Sequence, residues 1–288
     1  KNDRGKIHPG ADDNASGVAV LLELARVLGK GWTPDRTVVF VAFAGEEAER
    51  RGSRYYVAHP MRFPAAKVMG MLNIDTVGRL AHNKLMVLGA GSAREWTHIF
   101  RGVGYVTGVP IELVADDFGA SDQKSFLDAG IPAVQFFGGP HLDYHRPTDT
   151  AAKIDPAGLV KTAAVIRETV DYLAGRSEPL NSALMSQDGT PSHRQTKPTS
   201  RRTASLGTIP DFAYRGQGVR ISGVVPGSPV DKAGLRTGDV IVRLGSSAIN
   251  DLRRFSEVLK TLRPGDKVAI TLERNGEQRT FSVQAVSR

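Results

Sequence analysis

Apolar positions along the first 176 residues follow two alternating rhythms. In IHPGADDNASGVAVLLELARVLG, residues 7–29, Val18, Leu21, Leu22, Ala25 and Leu28 recur at the spacing of one helical face, which predicts a helix with these five residues turned to the core. Continuous apolar runs at 36–44 (RTVVFVAFA), 67–75 (KVMGMLNID), 84–89 (KLMVLG), 110–115 (PIELVA) and 131–137 (IPAVQFF) predict strands covered on both faces. Helices are predicted over 92–104, 121–129 and 155–174, the last behind the start signal Asp155-Pro156. This alternation predicts an α/β domain built on a mainly parallel sheet with helices on both faces. In such a sheet the functional groups gather at the carboxyl ends of the strands.

The rhythm then stops. Residues 177–205 are rich in Ser, Thr, Pro and basic groups and have no period, which predicts a flexible linker with His193 solvated inside it. From 206 to 288 the pattern is one of short strands and turns, forming a second, smaller, mostly-β domain. It holds one amphipathic helix near 250–262, with Leu252, Phe255, Leu259 and Leu262 on one face. Its Asn275-Gly276 pair predicts a tight hairpin.

Composition narrows the chemistry. The 288 residues are 40% hydrophobic, enough for two cores, and no apolar run approaches the roughly 20 residues of a membrane span. With no cysteine there is no disulfide framework, so a transition metal would have to be held by His, Asp and Glu. The net charge of +8 lies mostly beyond residue 176 and is scattered rather than striped, which argues against a nucleic-acid partner. The first residues show no secretory signal and no initiator methionine, and the expectation is that further chain precedes Lys1.

Acidic groups and histidines fall at strand ends. The run 36–44 leads into Gly45-Glu46-Glu47, the run 67–75 ends in Asp75, and IPAVQFF leads into GGPHLDYHRPTDT with His141, Asp143, His145 and Asp149. Asp13 sits at the mouth of the first helix, where Asn14 and Ser16 serve as helix-start residues. Asp13, Glu46, Glu47, Asp75 and His145 therefore converge on one edge of one sheet, and carboxylates so crowded call for a cation between them. Oxygen ligands with an imidazole suit zinc, manganese or cobalt. In the pair Glu46 and Glu47 one carboxylate can bind metal while the other serves as a base.

The segments GADDNASGVA, FAGEE with RGS, MLNIDTVGR and HLDYHRPTDT, in that order, resemble the co-catalytic zinc aminopeptidases of metallopeptidase family 28. The resemblance implies that Asp13 bridges two zinc ions, that Glu47 and His145 complete one site, that Asp75 belongs to the other, and that Glu46 is the general base. It implies hydrolysis of N-terminal peptide bonds by metal-activated water, and an extracytoplasmic location. The family has one more histidine ligand in an upstream segment, expected before Lys1; His8 is expected to be a loop residue. One complete three-ligand zinc site, Asp13, Glu47 and His145, is thus implied within this chain. Two departures stand out: Glu49-Arg50 where Gly-Leu is common, and Ser121-Asp122-Gln123 where Ser-Asp-His is common. The alternatives are a single-zinc enzyme like the glutaminyl cyclases, or a binding or scaffold protein with an impaired peptidase half.

GVRISGVVPGSPVDKAGLRTGDVIVRLGSSAI resembles PDZ domains of bacterial proteases. This implies a carboxylate-binding loop at Leu206, Gly207 and Thr208. A C-terminal or extended peptide would then lie beside Ile209 and its neighbours and pack against Phe255 and Leu259.

Overall fold

The apolar runs of the first unit condense into four short strands. The computed structural model describes residues 5–59, 62–81, 83–118, 121–184, 202–212 and 214–287. Strands β1 (Met71–Ile74), β2 (Leu85–Leu88), β3 (Ile111–Val114) and β4 (Ala133–Phe137) form a sheet of order β1-β4-β2-β3. β1 runs parallel to β4 and β2 parallel to β3, but β2 and β4 are antiparallel. The sheet is therefore mixed, with an antiparallel seam at its centre.

Side chains alternate across this sheet as the pleat requires. Val134 and Phe136 of β4 meet Leu85 and Val87 of β2 on one face. Helices α1 (Gly17–Leu28), α3 (Trp96–Thr107) and α5 (Pro156–Ala174) cover that face through Val20, Leu24, Trp96, Phe100, Val165 and Ile166. On the other face Ala133 joins Phe126 and Leu127 of α4 (Gln123–Asp128), with Tyr56 and Val57 of α2 (Arg51–Ala58) beside them. Trp96 and Phe136 are fully buried, and each removal of such a side chain from water stabilises by about 1.5–3 kcal/mol.

Two expectations are corrected. The inward face of α1 is Gly17, Val20, Leu24 and Leu28, whereas Val18 and Leu22 are exposed. Gly17 sets that rotation: a Cβ there would lie 2.3 Å from the Ile74 carbonyl oxygen, so the helix touches the end of β1 along its glycine. Residues 36–44 pair in no ladder among the described residues. A β-prone sequence makes a strand only where a neighbour offers hydrogen bonds. The segment is instead held by side chains: the Arg36 guanidinium donates to the carbonyls of Arg176 and Ser177, and Phe43 packs on Tyr56 and Phe126 with ring centroids 5.7 and 6.1 Å away.

Composition alone misplaces the start of the linker. Leu180 and Leu184 are buried, Asn181 bonds the Glu95 carboxylate through its amide N–H and its side chain, and Ser182 bridges Ala93. Residues 177–184 thus extend the first unit. Residues 185–201, with His193, lie outside the described residues.

The chain divides into two units, and the second is an antiparallel β structure. Its sheet has the order β11-β10-β8-β7-β6, built from β6 (Thr208–Pro210), β7 (Val219–Val224), β8 (Val240–Leu244), β10 (Lys267–Arg274) and β11 (Glu277–Gln284). The short β9 (Ser247–Ala248) pairs with β8, and β5 (Ala204–Ser205) pairs with β12 (Val286–Ser287). α6 (Pro229–Lys232) and α7 (Leu252–Thr261) complete the unit. Asn275 and Gly276, both at positive φ, turn β10 into β11 as the sequence predicts. Arg274 forms a two-pronged ion pair with the buried Asp239, at 2.6 and 2.7 Å.

α5 starts as Asp155-Pro156 predicts, and the Asp155 carboxylate also accepts the Ala81 N–H at 2.8 Å. The Gly158 amide, chief among its partners, holds this carboxyl below the usual range. A lowered pKa contributes stability that is present above the unfolded value near about 3.9 and is lost as pH falls through the folded one. Replacing Asp155 with alanine is therefore expected to cost about 1 kcal/mol at pH 7, and the gap to the parent should narrow as urea melts are repeated down to about pH 3.5. A gap that does not narrow would show that charge is not what Asp155 contributes.

Candidate metal centre

The helix mouth is a wide turn rather than a simple cap. Ala11–Ser16 form one π-type turn, with Asp13 and Asn14 outside helical angles and a cis Asp13–Asn14 peptide bond. Asn14 and Ser16 do more than begin the helix. Asn14 donates to the Ile74 carbonyl at 2.8 Å and accepts the N–H groups of Gly17 and Thr76 at 3.0 and 3.3 Å. Ser16 donates to the Asp12 carbonyl and accepts the Val77 N–H at 3.1 Å, while the Asp12 carboxylate accepts the Gly78 N–H at 2.6 Å. These bonds stitch the Asp13 turn to both flanks of Asp75, at the end of β1.

A second turn presents the glutamates. Gly45 at φ 72° reverses the chain, and the N–H groups of Gly52 and Arg51 return to the carbonyls of Ala44 and Gly45. A Cβ on Gly52 would lie 2.6 Å from the Ala44 oxygen, so this closure requires glycine. Glu49 and Arg50 hold left-handed angles of 66° and 57°, where side chains are disfavoured by about 1–2 kcal/mol each. Ser53 of α2 ties the turn to Asp122, ahead of α4, at 2.5 Å. Gln123, in place of the familiar histidine, is fully buried and joins Asn73 and Gln135 in a side-chain network.

The third contributor is the loop after β4. His145 has a left-handed φ of 57°, its ring stacks on Tyr144 at 3.9 Å, and its carbonyl meets His8 Nδ1 at 3.1 Å. His8 thus meets the backbone of His145, and it is not among the three described residues whose ligand atoms come together. Asp149, almost fully buried, accepts the N–H groups of Asp12 and Asp13 on one carboxylate oxygen at 3.0 and 3.1 Å.

These three loops bring the ligand atoms of Asp13, Glu47 and His145 within 4.8 Å of one another. His145 Nε2 lies 3.0 Å from Asp13 and 2.7 Å from Glu47. Glu46 and Asp75 stay outside this group of three, as do His141 and Asp143, but Glu46 and Asp75 share its electrostatics. Burial, then the charges of Asp75, Glu47, Asp122 and Asp13, push the Glu46 carboxyl up to about 8. Burial likewise pushes Asp75 up to about 6, against the hydrogen bond from Ser121 and with the help of the Asp13 charge. Burial opposes a charged His145, yet its bonds to Asp13 and Glu47 outweigh that and raise the ring to about 9.

One imidazole between two carboxylates is a donor set for zinc, whose ligand bonds run about 2.0–2.2 Å. The proton on Nε2 occupies the position that a shared cation would take, so the residues fit a metal. Asp12, Asp149 and Arg79 were missed as supports by sequence reasoning. Their one visible signal is an extra acid or base within or just beyond each ligand segment: Asp12 beside Asp13, Asp149 after His145, and Arg79 after Asp75.

The residues expected to receive a peptide in the second unit lie on the turn before β6, on β6 itself and on α7. Gly207, at φ 88°, has no room for a Cβ, which would lie 2.1 Å from Ser228 Cβ, and its N–H donates to the Ser205 hydroxyl at 3.2 Å. Leu206 is fully buried, and Thr208 and Ile209 are half-buried on β6, the last strand of the sheet order. Phe255 and Leu259 of α7 are each 2% exposed. They close the core beneath the sheet, which leaves them almost no surface for a ligand.

The sequence pattern of peptidase family M28 matches residues 2–170, and that of the PDZ domain matches residues 193–285. The aminopeptidase YwaD of Bacillus subtilis (strain 168) is 31% identical over 172 residues, which are 54% of this chain and 37% of that protein. The leupeptin-inactivating enzyme 1 of Streptomyces exfoliatus is 34% identical over 145 residues, 50% of this chain and 32% of that protein. Among solved structures, a zinc aminopeptidase from Bacillus subtilis superimposes with a TM-score of 0.53 at 28% identity, covering 59% of this chain and 44% of that one. The aminopeptidase of Aneurinibacillus sp. strain AM-1 gives 0.51 at 33%, covering 62% and 43%. The chain spans about a third of the length of these two curated relatives. With the family pattern covering more than half of its residues, and with its own acids and histidine gathered at one sheet edge, the chain belongs to peptidase family M28 and carries a PDZ domain after the peptidase domain.

Proposed function

We propose that this chain is a zinc aminopeptidase whose PDZ domain recruits peptides. The observation that carries the reading is the Asp13, Glu47 and His145 group with the raised carboxyl of Glu46 beside it. Asp13, Glu47 and His145 would hold one zinc ion, and Asp13 with Asp75 would contribute to a second. Bound zinc polarises a peptide carbonyl and acidifies a water molecule. Glu46, buried among like charges, takes the proton that the attacking water gives up and passes it to the leaving amine. The remaining carboxylates favour a substrate that brings a positive charge, as a free N-terminal amine does. The names of the aminopeptidase relatives support the same bond specificity.

The PDZ domain offers β6, at one end of its sheet order, for an extended peptide to join as a further strand. The turn around Gly207 is the place for a terminal carboxylate. The resemblance supports work outside the cytoplasm, and no described helix is long and apolar enough to cross a membrane.

Glu46→Gln is expected to lower hydrolysis of aminoacyl-nitroanilides by about 10²–10⁴-fold while zinc content by mass spectrometry stays unchanged. Loss of zinc in that variant would reverse the roles of Glu46 and Glu47.

Zinc must displace the proton on His145, which is protonated below about 9 in the metal-free protein. Zinc uptake at pH 7 should therefore release at least one proton, seen in calorimetry as a heat that varies with the buffer. The apparent affinity should rise toward pH 9, and His145→Ala should abolish tight binding. A heat independent of buffer would contradict this ligand set.

Peptides with a free C-terminus should bind the PDZ domain at least about tenfold more tightly than their amidated forms in fluorescence anisotropy. Equal affinities would rule out carboxylate capture.

A further inference from the structure

Arg79 lies just beyond β1, four residues after Asp75, and is engaged by three carboxylates from two other segments. Its Nη1 donates to Asp143 at 2.5 Å, its Nη2 donates to Asp149 at 2.8 Å, and its Nε is 3.8 Å from Asp12. The Arg79 side chain is 16% exposed, and Asp12 and Asp149 are almost completely buried. Two of these acids lead directly to metal-binding positions. Asp149 spends its other oxygen on the backbone N–H groups of Asp12 and Asp13, and Asp143 stands two residues before His145.

We propose that Arg79 is a positioning residue that clamps the Asp13 turn and the His145 loop at the separation that zinc requires. The proposal rests on the zinc reading above and adds a role for a residue that touches neither metal nor substrate. Three acids around one guanidinium stand beside the two of the metal cluster, Asp13 and Glu47. Without the cation between them, Asp12, Asp143 and Asp149 repel one another, and the two loops lose their common anchor. The planar fork is what allows one side chain to hold Asp143 and Asp149 at once. A lysine ammonium, a compact point charge, keeps the charge but not the span. Lys153 reaches Asp143 at 2.6 Å from its outer side and so neutralises that acid without joining the loops.

The test measures two quantities on the full chain. Zinc affinity is read by competition with a chelating dye, and amide hydrogen exchange of the Asp12 and Asp13 N–H groups is read on the metal-free protein. Arg79→Lys and Arg79→Met should bind zinc about 10–100-fold more weakly, and both amides should exchange faster. Val165→Ala, which opens a cavity in the hydrophobic core and removes no arm of the clamp, should leave zinc affinity unchanged. Where Arg79→Met does not fold, Asp143→Asn removes one arm of the clamp and should still weaken binding at least threefold. Arg79 variants, or Asp143→Asn in their place, that bind zinc within threefold of the parent would overturn the proposal. So would an equal loss in Val165→Ala, because lowered stability would then explain the effect. Unaltered exchange at Asp12 and Asp13 would overturn it as well. A parent protein that takes up no zinc would sink the metal reading and the positioning role together, an outcome distinct from a parent that binds and a variant that binds equally.

Discussion

Crowding of negative charge at one sheet edge is the constraint around which the peptidase domain is arranged. Burial raises the proton affinity of Glu46 and Asp75 most, and neighbouring carboxylates add to it: Asp75, Glu47, Asp122 and Asp13 at Glu46, and Asp13 and Asp122 at Asp75. Such a group persists only with positive charge to hold it. A protonated His145 supplies part of that charge, lying within 3.0 Å of both Asp13 and Glu47. The same crowding prepares the chemistry, since burial and neighbouring charges make the Glu46 carboxylate a stronger base than a free one.

Precision comes from backbone rather than from the reactive side chains. Asp12, Asn14 and Ser16 bond the segment 74–78, and Asp149 bonds the turn that carries Asp13. Gly45 and Gly52 close the glutamate turn, and left-handed angles at Glu49, Arg50 and His145 show that the loops are bent to suit the site. Residues that look like helix starters from their neighbours therefore serve as cross-links between the turn that carries Asp13 and the segment that carries Asp75.

Hydrophobic rhythm makes much of the fold legible. The runs at 67–75, 84–89, 110–115 and 131–137 each contain a strand, and the helices α3, α4, α5 and α7 lie where their patterns place them. Two of the departures share a cause. The run 36–44 has strand character but no described neighbour, and α1 turns by its contact at Gly17 rather than by its own stripe. Pairing and rotation are properties of a contact between elements, and neither is written within one element.

The sequence by itself determined the kind of chemistry: four ordered acidic and histidine segments, no cysteine, and a second domain of turns and short strands. It also determined which residue types could bind a metal, because ligand chemistry belongs to the side chain. Only the tertiary structure decided that Asp13, Glu47 and His145 come within 4.8 Å while Glu46 and Asp75 stand aside, that Phe255 and Leu259 serve the core, and that Arg79 reaches three acids. Those outcomes depend on distances between segments up to about 130 residues apart, and distance across a fold is set by packing and backbone geometry that no local pattern encodes.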